Sequence, residues 1–156
     1  MKIVLAATGK TDAAWLREGI CMYCERLTHY FPFEIRTVPD VKNARNISEE
    51  QQKEKEGEAI LKILQPGDYC VLLDEKGGQF TSLQFAAYLE KKTHAVRRLV
   101  FIAGGPYGFG EAVYKAAQEK ISISNMTFSH QLIRLIFLEQ LYRACTIIRR
   151  EPYHHG

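Results

Sequence analysis

The apolar positions of the chain fall into two alternating kinds of run. Short unbroken ones, KIVLAA at 2–7, YCVLL at 69–73 and LVFIA at 99–103, have the length of buried strands. A sparser one, Phe33, Ile35 and Val38 between Pro32 and Pro39, predicts a second strand in chain order. Between them the spacing lengthens to helical intervals. Leu16, Ile20, Tyr23, Cys24 and Leu27 share one helix face, with Thr11 or Asp12 as its expected cap. Residues 40–47 form a polar connection, and Ser48 with Gln51 predicts a capping box. The helix behind it starts charged, EEQQKEKEGE, is weakened at Gly57, turns apolar at Ile60, Ile63 and Leu64, and stops at Pro66-Gly67.

Gly77-Gly78 predicts a turn into a helix carrying Phe85, Ala86 and Leu89. After the 99–103 strand come a glycine-rich loop, a short helix near 111–117, a strand around Ile121–Ile123 and a final helix from about Ser129 to Arg150, ended by Pro152. Strand and helix alternate throughout, with no repeat and no long linker. The expected fold is a single α/β domain over 1–156, a mostly parallel sheet with helices on both faces.

Composition narrows this little. The 156 residues are 46% apolar and 25% charged, an ordinary globular balance, and a net charge of +3 permits an RNA partner without requiring one. No apolar run reaches membrane-spanning length, and the N-terminus reads as a strand, so a cytoplasmic protein with no membrane partner is expected. Cys21 and Cys24 form a C-x-x-C inside a helical pattern, without a second pair, which favours packing over redox or zinc chemistry; no metal is expected.

Four features carry candidate chemistry. Thr8-Gly9-Lys10-Thr11 looks like the end of a phosphate loop, but Val4, inside the strand, stands where that motif needs its first glycine. Gly104-Gly105-Pro106-Tyr107-Gly108-Phe109-Gly110 follows a buried strand, at the end of the sheet where ligands bind. Glycines there let a ligand approach the main chain, so a side chain at Gly105 is expected to block it. ISISNMTF at 121–128 is a second ligand loop, a turn into the last helix with Thr127 or Ser129 as cap, or both. The last helix is apolar around most of its circumference, from Leu132 to Ile148, which predicts burial against a second subunit or by the rest of the chain. Its Arg134, Arg143, Arg149 and Arg150 are either helix-end and ion-pair charges, Arg143 pairing with Glu139, or phosphate ligands. The Tyr153-His154-His155 tail is either loose or able to touch a base.

The glycine loop, NMTFSHQLIR at 125–134, EQLYRA at 139–144, the KEKEG stretch at 53–57, VLLD at 71–74 and the EPYHH ending resemble, in order and spacing over nearly the whole chain, the ribosomal large-subunit pseudouridine N3-methyltransferases, the RlmH type of SPOUT enzymes. The resemblance implies a trefoil knot near the C-terminus. It also implies S-adenosylmethionine held by Leu73, by Gly104 with Gly105, and by Ile123, Ser124, Asn125, Met126, Thr127 and Phe128. The implied substrate is N3 of a pseudouridine in 23S rRNA within the ribosome, and the implied assembly is a homodimer sharing its active sites. On that reading His130, Arg134, Arg143 and Tyr153 would contact RNA, with His154 the candidate base. A pocket with few charges would suit loss of the sulfonium's charge. Another RNA site, or a non-catalytic ribosome binder of the same fold, are the alternatives.

Overall fold

Lys2–Thr8 (β1) is buried along nearly its whole length, because both faces of this strand are covered. Ile3, Leu5 and Ala7 point into one core and Val4 and Ala6 into another. The computed structural model describes residues 1–155 and contains five strands in the order β2-β1-β4-β3-β5, every neighbouring pair parallel. The others are Phe33–Val38 (β2), Tyr69–Gln79 (β3), Arg98–Ala103 (β4) and Glu119–Ser122 (β5). The larger core lies under Ala14–Thr28 (α1), Ser82–Ala95 (α3) and Leu132–Arg149 (α5), where Phe85, Phe101 and Phe137 meet edge to face or tilted. The smaller lies under Glu49–Ile63 (α2) and Glu111–Ala116 (α4).

The capping box at Ser48 and Gln51 forms, and a second one, Thr81 with Gln84, starts α3. Three expectations fail locally. Neither Thr11 nor Asp12 caps α1; its N-cap is Ala13, with no side-chain bond. The Thr11 hydroxyl instead accepts from Arg134, and the Asp12 amide donates to Gln131, so this loop is tied to α5. Gly77-Gly78 is not a turn. β3 bulges between Leu73 and Gly78 and then resumes pairing with β5 through Gln79. A Cβ on Gly77 would lie 2.5 Å from the Ile121 carbonyl carbon, so glycine serves a close crossing of two backbones. Finally, the N-cap of α5 is Gln131, although the Ser129 hydroxyl still accepts from the Leu132 amide at 3.1 Å.

Among the described residues no helix is long and apolar enough to cross a membrane. Cys21 is exposed, and burial pushes the Cys24 thiol up to about 11, with Cys21 adding to the shift. So high a value disfavours the thiolate that redox chemistry needs.

Candidate active site

Parallel strands send their carboxyl ends the same way, and here three of the loops that leave them converge. The bulge of β3, the glycine loop after β4 and the segment after β5 enclose a cavity of about 660 Å³. Leu73, Gly104, Gly105, Ile123, Ser124, Met126, Thr127 and Phe128 line it, and so does His130. Asn125, expected beside them, does not line it; its side-chain oxygen accepts from Gln79 at 2.8 Å. That bond and Thr127 Oγ1 to Glu75 Oε2, at 3.0 Å, fasten the third loop to the bulge. Tyr114 of α4 donates to Asp74. Within the third loop Ser122 Oγ donates to the Ser124 carbonyl at 2.8 Å, and Ser124 Oγ accepts from the Met126 amide at 2.9 Å. The third loop is thus fastened to β3, which helps keep a main-chain-walled cavity open before any ligand arrives.

The walls carry more charge than expected. Glu49, Asp74 and Glu75 stand against Lys53 and Lys76, three carboxylates to two ammonium groups. This net negative rim favours a cationic ligand.

The direction in which Gly105 would carry a side chain points not to the cavity but to Glu56. A Cβ there would lie 2.4 Å from Glu56 Oε2 and 2.8 Å from Oε1. Substitution at Gly105 would therefore strike a buried carboxyl group before it met a ligand, which corrects the expectation for that position. Glu56 is 4% exposed; Oε1 accepts from Gln52 at 2.9 Å and Oε2 has no partner among the described residues. Burial pushes its carboxyl up, against the lowering by Gln52.

Glu56 also lines a second cavity, about 730 Å³, with Thr8, Asp40, Arg45, Gln52, Pro106 and His130. Pro106 and His130 line both cavities, so the two meet there. The Thr8 hydroxyl is a second buried group without a partner. Sequence reasoning missed Glu56 because it sits in a charged run. The available signal was its phase: Glu56, Ile60 and Ile63 fall at i, i+4 and i+7, on the apolar face of α2.

The residues expected at the RNA side separate. Arg134 is buried, and its guanidinium donates to the carbonyls of Thr8, Gly9 (2.9 Å) and His130 (3.1 Å) and to Thr11 Oγ1 (3.1 Å). Burial pulls its pKa down, against the pull of Asp12 and Asp40. With four of its five N–H donors committed in a buried setting, Arg134 fastens the end of β1 to α5. Arg143 pairs with Glu139 at 2.5 Å and stacks over the Tyr153 ring at 4.8 Å. The tail is not loose: Tyr153 Oη lies 3.1 Å from Glu139 and 3.3 Å from Tyr23, and its ring packs on Tyr142. His154 is half-buried, with Nδ1 unpartnered. His130 borders the cavities just before α5, Arg143 lies in the later half of the helix, and the tail folds back so that Tyr153 reaches Glu139 near its middle.

A family model described as "Predicted SPOUT methyltransferase" matches residues 1–154. Proteins named "Ribosomal RNA large subunit methyltransferase H" are similar over 99% of both chains: 69% identical in Parabacteroides distasonis, 57% in Phocaeicola vulgatus and 54% in Flavobacterium johnsoniae.

Proposed function

The chain belongs to the SPOUT methyltransferases, and from that premise we propose that it methylates N3 of a pseudouridine in the 23S rRNA of the large ribosomal subunit, using S-adenosylmethionine. The observation that carries this reading is the cavity of about 660 Å³ lined by three converging loops at the carboxyl end of the sheet, in a chain of this family. Its size is that of a cofactor cleft. Its net negative rim fits a ligand bearing a sulfonium and an ammonium, and its glycine-lined wall permits close approach to main-chain donors and acceptors. The trefoil knot belongs to the same reading. β5 returns beside β3, and its following loop is fastened to the β3 bulge.

In this assignment Leu73 and the Gly104-Gly105 main chain hold the cofactor from one side, and Ile123 through Phe128 from the other, Asn125 only through its backbone. The cofactor supplies an electrophilic methyl group. The chain's own residues bind and orient both partners, the largest part of the rate, and His154 takes the proton from N3. In this reading the tail completes the site of a second copy, and the functional unit is a homodimer. Surface apolar residues support such an interface. Leu132, Ile133, Leu135 and Ile136 of α5 stay partly exposed, and Trp15 and Met22 of α1 are exposed beside Gly19, whose Cβ position abuts Leu135. The enzyme works where ribosomes are, in the cytoplasm.

Purified protein, S-adenosylmethionine and ribosomes from a strain lacking this activity test the reading. Mass mapping of the rRNA should show one methyl group on a pseudouridine of 23S rRNA, calorimetry should show cofactor uptake, and light scattering at low micromolar concentration should give twice the chain mass. A protein that binds ribosomes and takes up no cofactor would end the proposal.

A further inference from the structure

We propose that the second cavity receives the target ring and that Glu56 selects pseudouridine over uridine by accepting a hydrogen bond from the ring's extra imino N–H. The inference rests on the methylation of a pseudouridine proposed above and names the residue that recognises it. A pseudouridine is joined to its ribose through carbon, so its ring carries N–H groups at both N1 and N3; in uridine N1 holds the sugar. Recognition of the difference needs an acceptor aimed at N1–H, and it is strongest where that acceptor is buried and otherwise unpaired.

Glu56 supplies a buried, unpaired acceptor on the wall of this cavity. It is 4% exposed, Gln52 occupies Oε1, and Oε2, without a partner among the described residues, faces Gly105, so the side chain must turn toward the cavity it lines to meet the ring. It lies against Gly105, whose main chain also walls the cofactor cavity, so it is one backbone away from the methyl donor's site. A ring seated where the cavities meet, at Pro106 and His130, can direct N3 toward the cofactor cavity and its N1 edge toward Glu56. The Thr8 hydroxyl, buried in the same wall without a partner among the described residues, becomes the donor to a ring carbonyl once the wall opens. One orphaned acceptor and one orphaned donor match the N–H and C=O groups that a uracil-type edge presents. The pairing explains why two polar groups are buried without partners, at a cost folding would otherwise select against.

The test uses two ribosome preparations, both lacking the methyl group, one with pseudouridine at the target position and one from a strain that also lacks the pseudouridine synthase and so carries uridine. Single-turnover rates at saturating S-adenosylmethionine give the preference for pseudouridine, and calorimetry gives cofactor affinity. Wild type should prefer pseudouridine strongly. Glu56→Met, similar in length and unable to accept, should lower the preference on the order of 100-fold with cofactor affinity unchanged. Glu56→Gln must share one oxygen between Gln52 and the ring and should fall between the two. A preference unchanged in Glu56→Gln, an equal loss on both substrates, or a loss of cofactor affinity would overturn the assignment, the last two marking Glu56 as a prop for the glycine loop. A wild type that methylates both rings equally would overturn it while leaving the methyltransferase reading intact; one that methylates neither would overturn that reading first.

Discussion

The two ends of α5 use the same residue type in opposite ways. At the first turn Arg134 is buried, and three of its acceptors are main-chain carbonyls, at Thr8, Gly9 and His130. In its later half Arg143 is about a quarter exposed and held by side chains, Glu139 and the Tyr153 ring. Main-chain acceptors cannot be exchanged without moving the fold, whereas a side-chain pair can be given up for a phosphate at small cost. The first end is scaffold for the cavities, since Thr8 lines the second and His130 lines both. The second end is a held but releasable surface, suited to meeting RNA or a second copy.

The largest effect should come from removing the scaffold. Arg134→Ala leaves the Thr8 and Gly9 carbonyls without these donors in a buried site, and is expected to destabilise the protein by about 3 kcal/mol in denaturant melts. Cofactor affinity should fall with it, because β1 and the loop before α5 are no longer fastened. If the variant is as stable as wild type and only RNA binding suffers, Arg134 is a phosphate ligand after all and the two ends are alike.

Next comes the tail. His154→Ala should lower the single-turnover methylation rate about 100-fold, equivalent to about 2.7 kcal/mol, with stability and cofactor affinity unchanged. Normal methylation by this variant would make the tail's packing on Tyr142 its whole purpose and remove the functional half of the comparison.

Much of this was legible in the sequence, for identifiable reasons. Strands buried on both faces write themselves as unbroken apolar runs, and β1 and β4 fall within a residue of where KIVLAA and LVFIA place them. Gly104 and Gly105 line the cavity, since glycine density after a buried strand reports local geometry, whereas the five of Ile123–Phe128 that line it were assigned through the family resemblance. What escaped depends on contacts distant in sequence. The continuation of β3 past Gly77 is set by Ile121, across the sheet. Glycine pairs look the same in a turn and in a backbone crossing. Arg134 reads as a surface cation because three of its four acceptors lie over 100 positions away. Glu56 was hidden by its charged neighbours, though its helical phase with Ile60 pointed inward.

The smallest effect is the most discriminating, because it separates holding from using. Glu139 is the hub of the releasable end: its Oε1 accepts from Arg143 at 2.5 Å and from Tyr153 at 3.1 Å, and Oε2 accepts from Gln140 at 2.6 Å. Glu139→Gln keeps the shape and one acceptor oxygen and removes the charge. The Arg143 pair is an i,i+4 contact about a quarter exposed on each side, the kind worth about 0.5 kcal/mol. Stability should therefore fall by about that much, and less at high salt. If Arg143 serves the fold alone, this small loss is the whole phenotype. If Arg143 leaves Glu139 to meet a phosphate in the working dimer, the variant frees it beforehand, and ribosome binding should tighten slightly while stability drops. Opposite signs in the two measurements would show that this end of α5 exchanges partners on binding; the same sign in both would return Arg143 to the scaffold beside Arg134.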